Sequence, residues 1–385
     1  MKHCHLFLAI VLCASLTSCF KDEPLNAECD IEQAYIHTDT PKSLFYQLSD
    51  TLVNVLSSEN KIRFHVRMDA DRTHLSPLFR LTDGATISPE NGSEHDFSNG
   101  SVAYTVTSQD GQWHRNYEVS VDLKQRTVDE LAGFGFERYY LEPDQQQYYV
   151  WNDTTQDGYV LDDWATGNPG FALSLGSAKP DEYPTTPYEQ GMNGKAVKLT
   201  TRSTGPLGEL VNMRLAAGNL FLGKFDVSKS LTSTMQATRF GIPVAQKPVC
   251  FMGVYQYSPG KVFQGRDGKP VEGRTDTGNI YAILYKNTDE NGKSVVLSGD
   301  NVMTSPLIVA KAIINKVEVT SEWTPFQIPF TYLEDIDRDR LAAYGYNLAI
   351  VFTSSDRGAN FEGAIGSTML VDNVKILWEN QIIKD

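Results

Sequence analysis

Histidine is missing from most of this 385-residue sequence. The seven histidines are His3, His5, His37, His65, His74, His95 and His114, so none lies beyond residue 114. From there to the end, Ser-His-Asp and Cys-His catalysis and His-ligated zinc are excluded. Cysteine is scarce too, with only Cys4, Cys13, Cys19, Cys29 and Cys250. The first two lie in a segment expected to be cleaved away, and Cys19 is expected to be acylated. Cys29 and Cys250 are far apart in sequence and read as two unpaired thiols, with no use as a metal pair. Basic residues number 34 against 48 acidic ones, for a net charge of −14, which makes nucleic acid a poor partner. No apolar run reaches the roughly 20 residues that span a bilayer as a helix. Sustained helical periodicity and βαβ alternation are also absent, which disfavours α/β folds. With 41% hydrophobic residues the chain is nevertheless no disordered polymer, and its length suits two domains.

What is present starts with a leader. MKHCHLFLAIVLCASLTS carries one lysine and then an apolar run from Leu6 to Leu12, the size of a signal-peptide core. Leu16-Thr17-Ser18-Cys19 reads as a bacterial lipobox, so cleavage is expected before Cys19, whose thiol would carry lipid. Loss of Lys2 with the leader turns −14 into −15. Phe20-Lys21-Asp22-Glu23 resembles the acidic tag that sends lipoproteins of Bacteroidetes to the outer face of the outer membrane. An ordinary secretory signal with a stray cysteine is the alternative. The expected segments are 1–18 as signal peptide and 19–25 as anchor and linker.

Residues 61–68, KIRFHVRM, alternate strictly, with Ile62, Phe64, Val66 and Met68 on one face. Period two with one apolar face predicts a half-buried strand. YEVSVDL repeats the device with Tyr117, Val119, Val121 and Leu123, and SVAYTVTS precedes it across Gln109-Asp110-Gly111-Gln112, whose Asp-Gly is a hairpin turn. Strands this short and this close predict an immunoglobulin-like sandwich over 26–126. His65 and His114 fall at outward or turn positions. From Gly133 the strands lengthen, and about ten of them, separated by Gly, Pro and Asn clusters, predict a larger jelly-roll sandwich over 133–385. LEDIDRDRLAAYG (333–345) is the one candidate for a short helix.

The segment DADRTHLSPLFRLTDGATISPENGSEHDFSNGSVAYTVTSQDGQWHRNYEV resembles the immunoglobulin-like module found beside glycan-handling domains in gut Bacteroidetes. YVWND, ATGNPGFAL, GKAVKLTT and SSDRGANFEGAIGSTMLVDNV resemble the putative carbohydrate metabolism domain family, which carries that module at its N-terminus. The resemblance covers nearly all of the mature chain. It implies a jelly roll shaped like carbohydrate-binding modules, and it implies no established reaction.

The stretch Trp151–Lys195 lacks periodic pattern, and a loop of that length is usually functional. Sugars need an aromatic platform beside fixed donors and acceptors. The expected site therefore takes Trp151 and Trp164 as stacking surfaces, with Asn152, Asn168, Lys198, Arg202 and Glu362 as hydrogen-bonding groups. The competing reading makes the tryptophans core plugs. Lys198 and Arg202 share a face opposite Val197, Leu199 and Thr201, and Tyr281 and Tyr285 share another. Both sets read either as lining of a concave face or as plain solvent-facing side chains. The loop 354–367, with Asp356, Arg357, Asn360 and Glu362 between glycines, could complete a pocket. An oligo- or polysaccharide is the expected partner, with membrane lipid held through Cys19 and neighbouring glycan-uptake proteins nearby. Glycoside hydrolysis is the alternative, drawing on Glu137, Asp153, Asp163, Asp276 or Glu362, although no spacing singles out a pair and no catalytic residue is assigned. An adhesin or stalk is a third reading. No cofactor is required. The resemblance to glycan-binding jelly rolls implies a structural calcium ion at Glu137 and Asp372, with Asp372 capping a turn as the other option.

Overall fold

In the strand Lys61–Arg67, Ile62, Phe64 and Val66 are buried while Lys61, Arg63 and His65 face solvent. The structure, a computed structural model, describes residues 24–46, 48–154 and 160–382. The leader and Cys19 lie outside the described residues. The chain divides between Lys124 and Gln125 into two compact units.

In the first unit, Lys61–Arg67 pairs in parallel with Glu118–Lys124, and Val102–Thr107 and Thr86–Ser88 continue that sheet. A second sheet joins Leu52–Asn54, Ile31–Ile36 and Pro77–Leu81. Phe64, Val66, Tyr104 and Val119 from the first sheet meet Ile31, Ala34 and Phe79 from the second in one core. Full burial of such side chains is worth about 1.5–3 kcal/mol each, which is why alternation decides the fold here. The expected Asp-Gly turn is present: Gly111 has φ +70, and Asp110 accepts hydrogen bonds from Ser108 Oγ at 2.5 Å and Gln112 N at 2.9 Å. Alternation fails at the strand ends, since Met68 and Leu123 are exposed.

The second unit is a jelly roll of antiparallel sheets. One sheet runs Thr185–Tyr188, Ala196–Thr200, Thr368–Trp378, Pro248–Ser258, Thr320–Pro329. The other runs Trp164–Ala165, Asn219–Phe225, Tyr346–Thr353, Asn279–Lys286, Ile308–Ile313, Thr331–Tyr332. Val197, Leu199, Phe251 and Val371 of the first face Leu220, Ile280, Ile350 and Phe352 of the second. The second sheet is buried on its outer side as well. There Tyr281, Ile283, Tyr285 and Val351 pack under Leu297 and Val302 of the connection between Asn279–Lys286 and Ile308–Ile313. Tyr281 and Tyr285 are thus core residues, lining no surface. Tyr285 Oη donates to Phe240 O at 2.5 Å, which satisfies its only buried polar group.

Trp151–Lys195 is also more regular than its sequence suggests. It holds part of the strand Tyr149–Thr154, then Val160–Leu161, Trp164–Ala165, the helix Asn168–Ser174 and Thr185–Tyr188. These elements are too short to show periodicity. The short helix within 333–345 is present as Arg338–Ala342, capped by Asp337 Oδ1, which accepts from Asp339 N and Arg340 N.

Candidate functional site

The strand Tyr346–Thr353 belongs to one sheet of the jelly roll and Thr368–Trp378 to the other. The loop 354–367 therefore crosses the end of the sandwich from sheet to sheet. Beneath it lies Asp276, 3% exposed. Asp276 Oδ2 accepts from Ser355 Oγ and Ser367 Oγ at 2.6 Å each and from Ala364 N at 2.7 Å. Oδ1 accepts from Thr277 N at 3.0 Å. Because a carboxylate only accepts, Ser355 must donate to it. Thr201 Oγ1, 2.6 Å from Ser355 Oγ and 2.8 Å from Ser354 Oγ, then donates to Ser355 and accepts from Ser354. Thr201 N also donates to Ser367 O, and Gly366 N to Thr201 O. Gly363, at φ +155, completes the fit, since a Cβ there would stand 2.7 Å from Ser355 Oγ and 3.2 Å from Asp276 Oδ2. The loop is thereby rigidly held from below.

Its rim carries arginines and the half-buried Phe361, with Phe263 buried beneath them. Phe263–Gln264 pairs with Gly363–Ala364. The Arg274 guanidinium lies 4.0 Å over the Phe263 ring, and that of Arg266 lies 5.6 Å from the Phe361 ring centre. Such contacts hold a planar cation in place. Arg357 Nε bonds Glu362 at 3.0 Å, and Arg214 Nη1 lies 3.5 Å from Glu209. Arg202 enters from the strand after Thr201, paired opposite Ala216. Asp356 hangs from the same loop, its N–H bonded to Thr277 O at 2.7 Å. Partial burial and the nearby Asp276 push its carboxyl up, against the pull of Arg274 and Arg357. One half-buried aromatic ring, guanidinium forks and one proton-prone carboxyl thus meet at one end.

The family described as putative carbohydrate metabolism domain matches residues 135–377, the whole of this jelly roll with its loop end. The chain belongs to that family. The N-terminal domain of glycan-binding proteins, "SGBP, N-terminal", matches residues 45–121 in the first unit. A crystal structure from Bacteroides thetaiotaomicron, described as a putative glycoside hydrolase, is 38% identical, with a TM-score of 0.63. The match covers 93% of this chain and 99% of that one. A second putative glycoside hydrolase, from Bacteroides vulgatus, is 35% identical over 66% of this chain and 100% of that one, with a TM-score of 0.61. No curated protein matches the chain.

Within this family domain the residues expected from sequence scatter. Trp151 and Trp164 are 1% and 4% exposed, which corrects their assignment as stacking surfaces. Trp164 packs edge-on against Phe134 and Phe136, with centroids at 5.0 and 5.3 Å, and donates Nε1–H to Asp153 Oδ2 at 2.7 Å. Trp151 sits in the same core, tilted toward Tyr139. Asn168 is wholly buried and splices two segments: its Nδ2 donates to Thr185 O at 2.8 Å and its Oδ1 accepts from Thr185 N at 3.0 Å. It has no group left for a ligand from solvent. Asn152 is half-buried opposite Arg138 in the sheet of Tyr149–Thr154. Lys198 lies mid-strand between Thr186 and Leu370, away from the loop. Only Arg202 and Glu362 meet at the loop end. Arg214, Arg266, Arg274, Phe263 and Phe361 were missed, because no spacing in sequence announces a cluster assembled from four separate segments.

Glu137 and Asp372 do converge, both on the turn 191–195. Asp372 Oδ2 accepts from Met192 N at 2.7 Å and Asn193 N at 3.1 Å, and Oδ1 from Asn373 N at 2.6 Å. Glu137 accepts from Lys195 N at 3.1 Å. Asp372 therefore caps that turn. It is wholly buried, and burial and then the charge of Glu137 push its carboxyl up. Among the described residues neither carboxylate has an ion-pair partner, and no group of three or more acids, histidines or cysteines is arranged to hold a metal ion.

Proposed function

We propose that this protein is a surface-anchored lipoprotein that captures an oligo- or polysaccharide at the loop end of its jelly roll, without cleaving it. The observation carrying this reading is the rim of Phe361, Arg266 and Arg274, the last held on the buried ring of Phe263, on a loop fixed from below by Asp276. Rings offer faces to sugar C–H groups, and arginine forks reach hydroxyl and acidic oxygens without first being ordered. Family membership supports a carbohydrate-related role. The lipobox at Cys19 supports anchorage, and the glycan-binding match of the first unit supports display at the surface beside other glycan-uptake proteins. A calcium ion shared by Glu137 and Asp372 belongs to the same reading. Two adjacent carboxylates without an ion-pair partner among the described residues suit a hard dication, which takes oxygen ligands.

Hydrolysis is the second reading, favoured by the description of the two Bacteroides structures and by the raised carboxyl of Asp356 beside Asp276. Incubation with a glycan panel, following both bound heat and new reducing ends, separates the two. Saturable binding without new ends, weakened in Phe361→Ala, is expected. Release of products would transfer the protein to the hydrolases, and undiminished binding by the variant would move the site elsewhere.

A further inference from the structure

The charges at the loop end are unevenly matched. Arg357 is taken by Glu362, Arg214 by Glu209, and Lys269 by Asp267. Arg202, Arg266 and Arg274 have no carboxylate partner among the ion pairs of the described residues. What sets these three apart is that they gather at one end of the jelly roll. The remaining acids do not fill the gap. Asp276 is buried under the loop with its oxygens taken by hydrogen bonds, and Asp356 feels the charge of Arg274 without forming an ion pair with it. Glu272 is exposed two residues from Arg274. The three arginines are also not random surface chains. Arg266 and Arg274 lie on phenylalanine faces, and Arg202 has its Nε buried without a protein partner.

We propose that this end selects saccharides bearing an anionic group, a uronate carboxylate or a sulfate ester. The inference rests on the reading of the site as glycan-binding and names the class of glycan. A guanidinium presents parallel N–H donors that match two oxygens of a planar carboxylate or of a sulfate, and such charge-assisted pairs are about twice as strong as neutral ones. Held on a ring, the fork loses little freedom when the anion arrives. The sugar ring then lies along Phe361, and its acid group reaches the arginines. The overall charge of −14 disfavours polyanions in general, so recognition must come from these local forks and not from the field of the whole molecule.

Calorimetry with the full chain in detergent tests this, using oligogalacturonates against their methyl esters and sulfated against desulfated carrageenan oligosaccharides. At least one acidic probe should bind about tenfold or more tightly than its neutral counterpart. Arg266→Gln/Arg274→Gln should erase that preference while leaving the melting temperature unchanged, since both side chains are exposed. Neutral probes bound as tightly as acidic ones would overturn the inference and leave the glycan-binding reading standing. So would an acidic preference that survives in the double variant, or binding confined to neutral sugars. Absence of binding to any saccharide, in these pairs or in the wider panel, would remove both.

Discussion

Asp153 and Trp164 show how a residue's neighbours in space overrule its neighbours in sequence. Trp164 follows Asp162 and Asp163 and precedes Gly167 and Asn168, which suggests an exposed loop. Its ring is buried by Phe134, Phe136 and Phe352, none of them local. The indole N–H then needs an acceptor, and Asp153 supplies it. That burial pushes the Asp153 carboxyl from its ordinary 3.8 up to about 7, with the Trp164 bond opposing and Asp163 adding to the rise. A carboxyl whose folded value lies above its unfolded one binds a proton preferentially in the fold. Its contribution to stability is complete below about pH 4 and is lost as pH rises toward 7. Asp153→Asn keeps an acceptor for the indole and removes the charge. Denaturant unfolding should find the variant close to wild type at pH 4 and more stable by about 1–3 kcal/mol at pH 8. An equal difference at both pH values would mean that the Asp153 carboxyl keeps its ordinary value in the fold.

At the scale of elements, two glycine-containing turns depend on carboxylates. The loop 354–367 hangs on Asp276. Asp276→Ala would leave the hydroxyls of Ser355 and Ser367 and the N–H of Ala364 without their acceptor, at a cost of about 1–3 kcal/mol for each buried group left unpaired. The expected result is lower stability together with faster amide hydrogen exchange across 354–367, while the strand Asn279–Lys286 stays protected. Uniformly faster exchange through both sheets would show that the network supports the whole sandwich and not the loop alone. The turn 191–195 wraps Glu137 and Asp372, and Gly194 there has φ +74 with Glu137 against the position of a Cβ. With calcium bound, melting in excess calcium should exceed melting in chelator by several degrees, as any ligand of the folded state alone requires. Identical melting curves would remove the ion and leave Asp372 as a turn cap. The same comparison in Glu137→Gln should show a smaller calcium effect.

For the whole molecule, the proposal places an acidic, two-unit β-protein on lipid. A diacylglyceryl cysteine with a further acyl chain anchors stably, where one chain alone holds only marginally. Protease added to intact cells should digest the wild-type protein, and Cys19→Ala should release it from the membrane fraction. Full protection in unpermeabilised cells would contradict surface display, and a membrane-bound Cys19→Ala protein would contradict the anchor. Each unit has a hydrophobic core of its own. This independence is why patterning along the sequence could be read unit by unit.

Patterning by itself determined the all-β class, the immunoglobulin-like sandwich and the jelly roll. Ile62, Phe64 and Val66 must share a face whatever lies across from them, because a strand's side chains alternate and apolar area is costly in water. The Asp-Gly turn at 110–111 and the cap at Asp337 are equally local and equally legible. The same sequence held the resemblance to a carbohydrate-related family in short motifs such as YVWND and SSDRGANFEGAIGS. The site was another matter. Whether Trp164 stacks on a sugar or on Phe134 depends on which distant segment lies against it, and that is set by sheet pairing across more than a hundred residues. Arg202, Arg266, Arg274 and Phe361 come together only because the loop 354–367 joins two sheets at one end. Proximity of that kind leaves no trace in composition or period, so only the tertiary structure could decide it.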